Sequence, residues 1–300
     1  MYNGIINIYK EKGYTSHDVV AKMRGILKQR KIGHTGTLDP EAEGVLPVCL
    51  GSGTKLCDML TDRDKEYEAV LRLGVVTDTQ DMTGTVLKES PVEVSEQEIR
   101  EIIEGFVGEY DQIPPMYSAL KVGGKKLCDL AREGREIERK PRRITFHEIE
   151  VKSVELPFVS LRVSCSKGTY IRTLCHDIGE KAGCGGAMVS LKRTRSGSFR
   201  VADAITLDEL TALRDAGKVE TVLIPVEEMF PNLAAVHVQP AFRKLLVNGN
   251  AFLPEHIMER RRYGDGEEVC VYDAGGTFFG VYVFEEARRS FRPVKMFFAS

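Results

Sequence analysis

The chain has 300 residues, 42% hydrophobic and 29% charged, an ordinary soluble composition with length for one large core plus a small second domain. Lys10, Glu11 and Lys12 break the N-terminal GIINIYKEKGYTS where a signal peptide needs an unbroken apolar stretch, and no later run reaches membrane-spanning length; a cytosolic, cytoplasmic protein with no membrane partner is expected. The seven cysteines form no C-x-x-C pair and no zinc-ligand spacing, which reads as reduced, mostly buried thiols.

A net charge of −2 argues on its face against a nucleic-acid partner, because a phosphate-binding surface needs Lys and Arg to displace condensed counterions. The charge is segregated along the chain, however. Residues 61–115 carry 5 basic and 14 acidic side chains, residues 116–147 carry 9 and 4, and residues 161–195 carry 7 and 2. Such a chain can present a positive groove while staying near neutral; a set of solvated faces is the plainer alternative.

In chain order, IINIY from Ile5 reads as a strand, and Thr15 or Ser16 caps a helix over HDVVAKMRGILKQR with Val19, Val20, Met23, Ile26 and Leu27 on one side. Residues 33–47, GHTGTLDPEAEGVLP, hold three glycines and two prolines in fifteen positions and read as a loop leading into the strand-like VCLG. KEYEAVLRLG alternates Tyr67, Ala69, Leu71 and Leu73 against polar positions, the period of a half-buried strand. Ser95 and Glu98 form a capping box for the helix EQEIREIIEGF. Residues 111–147 combine a Pro pair, a Gly-Gly turn, dense basic charge and one short helical stretch near LCDLARE, which reads as an excursion from the core.

EIEVKSVEL and FVSLRVSCS follow as two strands, and GTYIRTLCHDIGEKAG as a turn into a helix ending near Gly183. Strands and helices mix without βαβ regularity, so an α+β domain with a largely antiparallel mixed sheet is expected. Residues 200–236, with 3 basic and 7 acidic side chains and with Pro225 and Pro231, mark a plausible boundary. Beyond it, PAFRKLLVNGN reads as a short helix stopped by Asn248 and Gly249, and EEVCVYDAGGTFFGVYVFEE as a hairpin, giving a small β-rich module of about sixty residues. The expected division is 1–232 and 233–300.

Among side chains that could do chemistry, Asp39 is the best candidate nucleophile: Pro40 biases it away from the α region, and flanking glycines let backbone approach a ligand. Asp followed by Pro is equally a helix N-cap with Pro at the first helical position. Arg172, at the start of the GTYIRTL helix, could pair with such a carboxylate and hold it charged, or stand exposed. Tyr67 could be core packing, or a phenol that stacks on a base and moves a proton; with an ordinary pKa near 10 it is a weak base unless neighbours help. His34, beside Gly33, could stack or donate a hydrogen bond. GSGTKLCD lacks phosphate-loop spacing, since Lys55 follows Thr54 rather than a glycine, HTGTLD has Gly33 where the phosphorylated-aspartate motif of ion pumps needs its Asp, and the six histidines lack metal-binding spacing, so no metal is expected.

Taken together, these segments resemble the TruB family of tRNA pseudouridine synthases over almost the whole chain. GHTGTLDPEAEGVLPVCLG is similar to that family's catalytic loop and DKEYEAVLRLGVVTDTQDMTG to its tyrosine-bearing strand and following turn. QIPPMYSALKVGGKKLCDLAREG is similar to its RNA-gripping insertion, CSKGTYIRTLCHDIGEKAGCGG to its arginine motif and LKRTRSGSF to its last core segment. The resemblance implies a pseudouridine synthase fold with a C-terminal, β-barrel-like PUA-type module that binds RNA. It further implies Asp39 as the essential aspartate, Tyr67 as the tyrosine stacking on the target base, Arg172 as the aspartate's partner and His34 as a residue engaging the RNA loop. Lys65, Tyr170, Leu191 and Lys121 match further active-site or RNA-contacting positions. Lys10-Glu11-Lys12-Gly13 departs from the family's Lys-Pro-x-Gly, which loosens a turn without touching the catalytic motifs.

The implied activity is isomerisation of a uridine in the T-loop of tRNA, at position 55. That reaction breaks N1–C1′ and joins C5 to C1′ with no redox change, so a carboxylate suffices without a cofactor. Attack at C6, attack at C1′ and assisted loss of a sugar proton all remain open. The stacked uridine must be flipped out, and stacking on Tyr67 would offset part of the cost. Lys125, Lys126, Arg142 and Arg143 in the insertion are expected to clamp phosphates, with Arg193 and Arg195 as further basic contacts. tRNA is the expected partner, with no obligatory protein partner. The rival readings are a non-catalytic RNA-binding or tRNA-folding protein, from which Asp39, Tyr67 and Arg172 discriminate, and a small-molecule enzyme, disfavoured by the basic insertion.

Overall fold

The computed structural model describes residues 1–298, with Lys121 and Lys126 described by backbone alone. The apolar N-terminal run forms strand β1 (Gly4–Lys10), whose Ile5, Ile6 and Ile8 are all buried because both of its faces are covered. Helix α1 (Ser16–Leu27) starts in a capping box between Thr15 and Asp18 and buries Val19, Val20, Met23 and Leu27. It stops at Lys28, which turns left-handed (φ 53°), three residues before the end that apolar periodicity alone suggests. Strand β2 (Ile32–His34) and strand β3 (Glu43–Leu50) then shorten the expected 33–47 loop to residues 35–42. Pro47 sits inside β3; it forfeits one donor, while its carbonyl accepts from Thr35 N at 3.1 Å and Thr35 Oγ1 at 3.2 Å. The burial of Val45, Leu46 and Val48 outweighs that loss.

Helix α2 (Cys57–Thr61) leads to strand β4 (Lys65–Leu73), which buries Lys65, Tyr67, Ala69, Leu71 and Leu73 on alternate positions as its pattern demands. A small hairpin, β5 (Val75–Thr77) and β6 (Val86–Glu89), precedes α3 (Glu96–Glu104), capped by Ser95 and Glu98. Strand β7 (Gly108–Gln112) and strand β10 (Arg142–Glu155) are antiparallel neighbours, with Arg142 opposite Gln112, so only residues 113–141 leave the sheet. This excursion holds β8 (Lys121–Val122), β9 (Lys125–Lys126) and α4 (Leu127–Arg132) around its own cluster of Met116, Leu127 and Leu130. Arg142, Arg143 and the rest of 142–147, expected in the excursion, belong instead to the sheet.

Strand β11 (Phe158–Cys165), helix α5 (Ile171–Lys181), strand β12 (Gly186–Ser196) and strand β13 (Phe199–Arg200) complete the first sheet. Its order is β1-β3-β12-β4-β11-β10-β7, with β2 beside β3 and β13 beside β12. Among the described residues all of its ladders are antiparallel except β3 with β12, where Lys192 faces Glu43 and Arg193 faces Gly44. One core lies under β4, β10, β11 and α5, and a second under β1, β3 and α1, to which α6 (Leu207–Asp215) contributes Leu207 and Leu210. Helix α5 meets the sheet backbone to backbone: a Cβ on Gly179 would fall 2.1 Å from Gly186 N. The α+β class with a mostly antiparallel sheet is therefore as the sequence indicates.

The C-terminal part carries a separate four-stranded sheet, β14 (Ala234–Val238), β15 (Glu268–Asp273), β16 (Phe278–Glu285) and β17 (Ser290–Met296), in that order, with α7 (Arg243–Val247) beside it. Its own core includes Val236, Phe252, Phe279, Tyr282 and Phe291, while Phe230, Phe278 and Phe297 pack it against β1 and β3. The β15–β16 turn is tied by Asp273, which accepts from Gly275 N, Thr277 N and Arg243 Nε. Among the described residues no helix is long and apolar enough to cross a membrane.

Candidate active site

The loop from Thr35 to Ala42 leaves the β2–β3 side of the sheet and plugs Leu38 and Ala42 into the core under β4 and α5. Ser16 Oγ fixes its middle, accepting from Leu38 N at 2.9 Å. No helix follows Pro40; Ala42 N returns to Asp39 O at 3.1 Å in a tight turn, so Asp39 is not an N-cap and its carboxylate is free to act elsewhere. It meets Arg172, whose Nε lies 3.0 Å from Asp39 Oδ2.

Arg172 is the second residue of α5 and its side chain is only 7% exposed, against 39% for that of Asp39. Its remaining donors are committed: Nη1 to Thr79 O at 3.0 Å, Nη2 to Tyr117 O at 2.8 Å, and Nη1 toward Asp81 Oδ2 at 3.5 Å. Five N–H donors in a rigid fork are what allow one side chain to join a loop, a turn and the excursion at once. The turn that supplies Thr79 and Asp81 is itself constrained. Gln80 adopts the left-handed region (φ 63°), its side chain accepts from Thr173 Oγ1 at 2.8 Å and its carbonyl accepts from Met188 N at 3.0 Å.

Asp39 and Arg172 open on a cavity of about 930 Å³. Of the residues singled out in the sequence, Asp39, Lys65, Tyr67, Arg142, Arg143, Tyr170, Arg172, Leu191 and Arg193 line it, and the excursion lends Ser118, Ala119 and Leu120. Tyr67 and Leu191 project from the adjacent strands β4 and β12, where Leu191 faces Ala69 and Arg193 faces Tyr67. Burial pushes the Tyr67 phenol above its usual range, with the Arg193 guanidinium pulling the other way. Tyr170 is held by a double clamp: its N–H donates to Gln112 Oε1 at 2.8 Å and its carbonyl accepts from Gln112 Nε2 at 3.0 Å. Burial raises the Tyr170 phenol as well.

The basic residues separate into distinct roles. Lys65 borders the cavity, but its ammonium donates to the Thr61 and Arg63 carbonyls, and burial lowers its pKa to about 8. Arg193, expected to contact RNA, is 1% exposed and donates Nε to Val45 O at 2.7 Å. Arg142 stands at the cavity rim with no carboxylate in ion-pair range among the described residues, whereas Arg143 is held by Asp111 at 2.7 Å and Glu109 at 2.8 Å across the β7–β10 ladder. Lys125 is exposed, 3.7 Å from Glu133. The side chains of Lys121 and Lys126 lie outside the described residues. His34 is off the cavity, at the end of β2 beneath the loop; its Nδ1 accepts from Gly36 N at 3.3 Å, and burial and then Arg193 lower its pKa, favouring the neutral ring.

Three residues at the site were not singled out from the sequence. Asp81 and Gln80 lie in the TDTQDMTG turn, whose density of Thr, Asp and Gly was the available signal, and Gln112 gave none. Among the described residues no three His, Cys, Asp or Glu side chains gather into a metal-holding group.

Residues 24–171 match the family model for the TruB family pseudouridylate synthase N-terminal domain, and residues 172–231 that for the tRNA pseudouridylate synthase B C-terminal domain. The chain is 51% identical to the tRNA pseudouridine synthase B of Lachnoclostridium phytofermentans over 98% of this chain and 99% of that protein. It is 48% identical to that of Alkaliphilus oremlandii over 90% and 89%. Its fold is similar to a chain of an H/ACA RNP bound to a substrate RNA containing 2′-deoxyuridine (TM-score 0.70, 26% identity, 99% of this chain and 85% of that one). A chain of a Cbf5-Nop10-Gar1 complex is similar to the same degree (TM-score 0.70, 29% identity, 98% and 85%). With two family models covering the loop, the tyrosine strand and the arginine helix, and with the two bacterial relatives matched over about nine-tenths or more of their length, the chain belongs to the TruB family of tRNA pseudouridylate synthases.

Proposed function

We propose that the chain converts a uridine of tRNA to pseudouridine, at position 55 in the T-loop, with Asp39 as the reacting carboxylate and the base flipped out of its stack. The observation that carries this reading is the Asp39–Arg172 pair at 3.0 Å, anchored on its arginine side and open on its carboxylate side to a cavity of about 930 Å³. That space admits one nucleotide between Tyr67, Tyr170 and Leu191. An aromatic face there offsets the loss of base stacking, by roughly 1–3 kcal/mol per base. N1–C1′ breaks, C5–C1′ forms, C5 gives up its proton to solvent and N1 takes one up, so the balance needs neither a redox cofactor nor an external group.

A protein that only bound RNA would gain nothing from Asp39, since a carboxylate in a phosphate-binding groove repels the ligand. Arg142 at the rim, the excursion at 113–141 and the C-terminal module, residues 233–300 beside a catalytic unit of 1–232, would carry the tRNA backbone. The carboxylate, its arginine and both tyrosines stand together in one cavity lining, which supports activity without an obligatory protein partner, and action in the cytoplasm is part of the same proposal. The test is tritium release from tRNA labelled at C5 of its uridines, with a second transcript carrying cytidine at position 55. Release only from the first supports the reading; equal release from both sinks the position, and no release from either sinks the activity.

A further inference from the structure

Arg193 is the largest side chain buried almost completely in the molecule, and among the described residues no carboxylate comes within ion-pair distance of its guanidinium. An unpaired buried charge is expensive to keep, so its placement demands an account. Its hydrogen bonds go to backbone: Nε to Val45 O at 2.7 Å and Nη2 to Gly36 O at 3.3 Å. Gly36 and Val45 are the two sides of the segment that bears Asp39. Gly44, at φ 106°, lies so close to the Arg193 backbone that a Cβ there would fall 2.2 Å from Arg193 O. Across the next ladder Arg193 stands directly opposite Tyr67, so the two side chains leave the same face of the sheet, and the guanidinium draws the phenol's pKa down against the burial that raises it.

We propose that Arg193 is a positioning residue of the isomerisation: one buried guanidinium sets both ends of the Asp39 loop and the hydroxyl of Tyr67, in one register across the base. A guanidinium can only donate, so in any hydrogen bond between the two the phenol oxygen is the acceptor and the phenol's own proton is left for the cavity. Lysine would supply the charge without the planar fork that reaches two carbonyls and a phenol together. The lack of a carboxylate follows from this role, because an anion beside Arg193 would take the donors that the carbonyls and the phenol use and would add a second negative charge under Asp39.

This inference rests on Tyr67 taking part in the proposed reaction, and the two can fail separately. Arg193→Lys and Arg193→Met are each made in the wild-type and the Tyr67→Phe backgrounds, and kcat, KM, tRNA affinity and thermal midpoint are measured by tritium release, filter binding and calorimetry. Tyr67→Phe alone reports on Tyr67. In wild-type background Arg193→Lys should lower kcat by about tenfold with KM within about twofold, the pattern of an interaction made in the transition state. In the Tyr67→Phe background the same change should cost at least about threefold less, since the phenol oxygen is already gone and only the contacts to the loop remain to be lost. Arg193→Met serves as the stronger variant where it folds, and Arg193→Lys keeps the test open where it does not. Unchanged kcat in Arg193→Lys, or equal losses in both backgrounds, overturns the assignment.

Discussion

Replacing Asp39 by Asn separates what its carboxylate does for the fold from what it does for the reaction. On the stability side, the carboxylate is 39% exposed and its partner keeps three other acceptors, on Thr79, Tyr117 and Asp81. The amide oxygen of Asn can still accept from Arg172 Nε. The loss is thus nearer that of an exposed pair, about 1 kcal/mol, than the roughly 3–5 kcal/mol of a buried pair broken outright. In a chain of this size that is a fall of about 1–2 °C in thermal midpoint. On the chemical side, removal of a reacting carboxylate is expected to lower turnover by about 10³-fold, ~4 kcal/mol of barrier. The assay is tritium release at saturating tRNA, alongside filter binding and calorimetry on the same preparation. Affinity for tRNA should stay within several-fold. A variant that turns over at wild-type rate refutes the role of Asp39, and one that loses midpoint by 10 °C or more refutes the ledger above.

The rim arginines should behave differently in salt: Arg142→Ala should reduce the slope of log affinity against log salt by about 0.7–0.9, the share of one phosphate, while Arg143→Ala should change it less because Asp111 and Glu109 already hold that side chain. Equal effects would refute the distinction. Gly44→Ala, at φ 106° and against Arg193 O, should destabilise by about 2–3 kcal/mol and abolish turnover, whereas Gly25→Ala, in open space within α1, should stabilise by about 0.5–1 kcal/mol; urea titration reads both, and a Gly44→Ala protein of wild-type stability would contradict the close approach. Lys65 is held to about 8 against an ordinary 10.5, so between those values the unfolded chain binds the extra proton and wild type gains stability as pH rises. The stability of Lys65→Met relative to wild type should therefore fall from about pH 8 to 10.5, and a pH-independent difference would show that Lys65 titrates normally.

Local patterns were legible wherever one short period decides the structure. The alternation in Lys65–Leu73 and the Thr15 and Ser95 caps need no knowledge of distant residues. Arg172 is the opposite case: at a helix start it reads as exposed, and only Thr79 and Tyr117, 93 and 55 positions away, account for its burial. Charge along the chain misled for a related reason. The acidic stretch contains β7 and the basic one begins β10, and these strands are neighbours, so Glu109 and Asp111 neutralise Arg143 in space. Arg193 could have been placed from its own strand, since it alternates with Leu191 and so shares the inward side. Its lack of a counter-charge could not, because that depends on which carboxylates the whole fold keeps away.

The Asp39 loop springs from β2 and returns through β3, yet Leu38 and Ala42 sit in the core beneath β4 and α5. Between those two halves of the sheet runs a narrow parallel ladder, Lys192 with Glu43 and Arg193 with Gly44. Asp39 therefore rides with Tyr67 and Arg172 rather than with the strands that carry its own chain. The loop works as a bridge: Arg193 holds its ends at Gly36 and Val45 on the side of β2 and β3, while Leu38 and Ala42 lock its middle to the other half of the sheet.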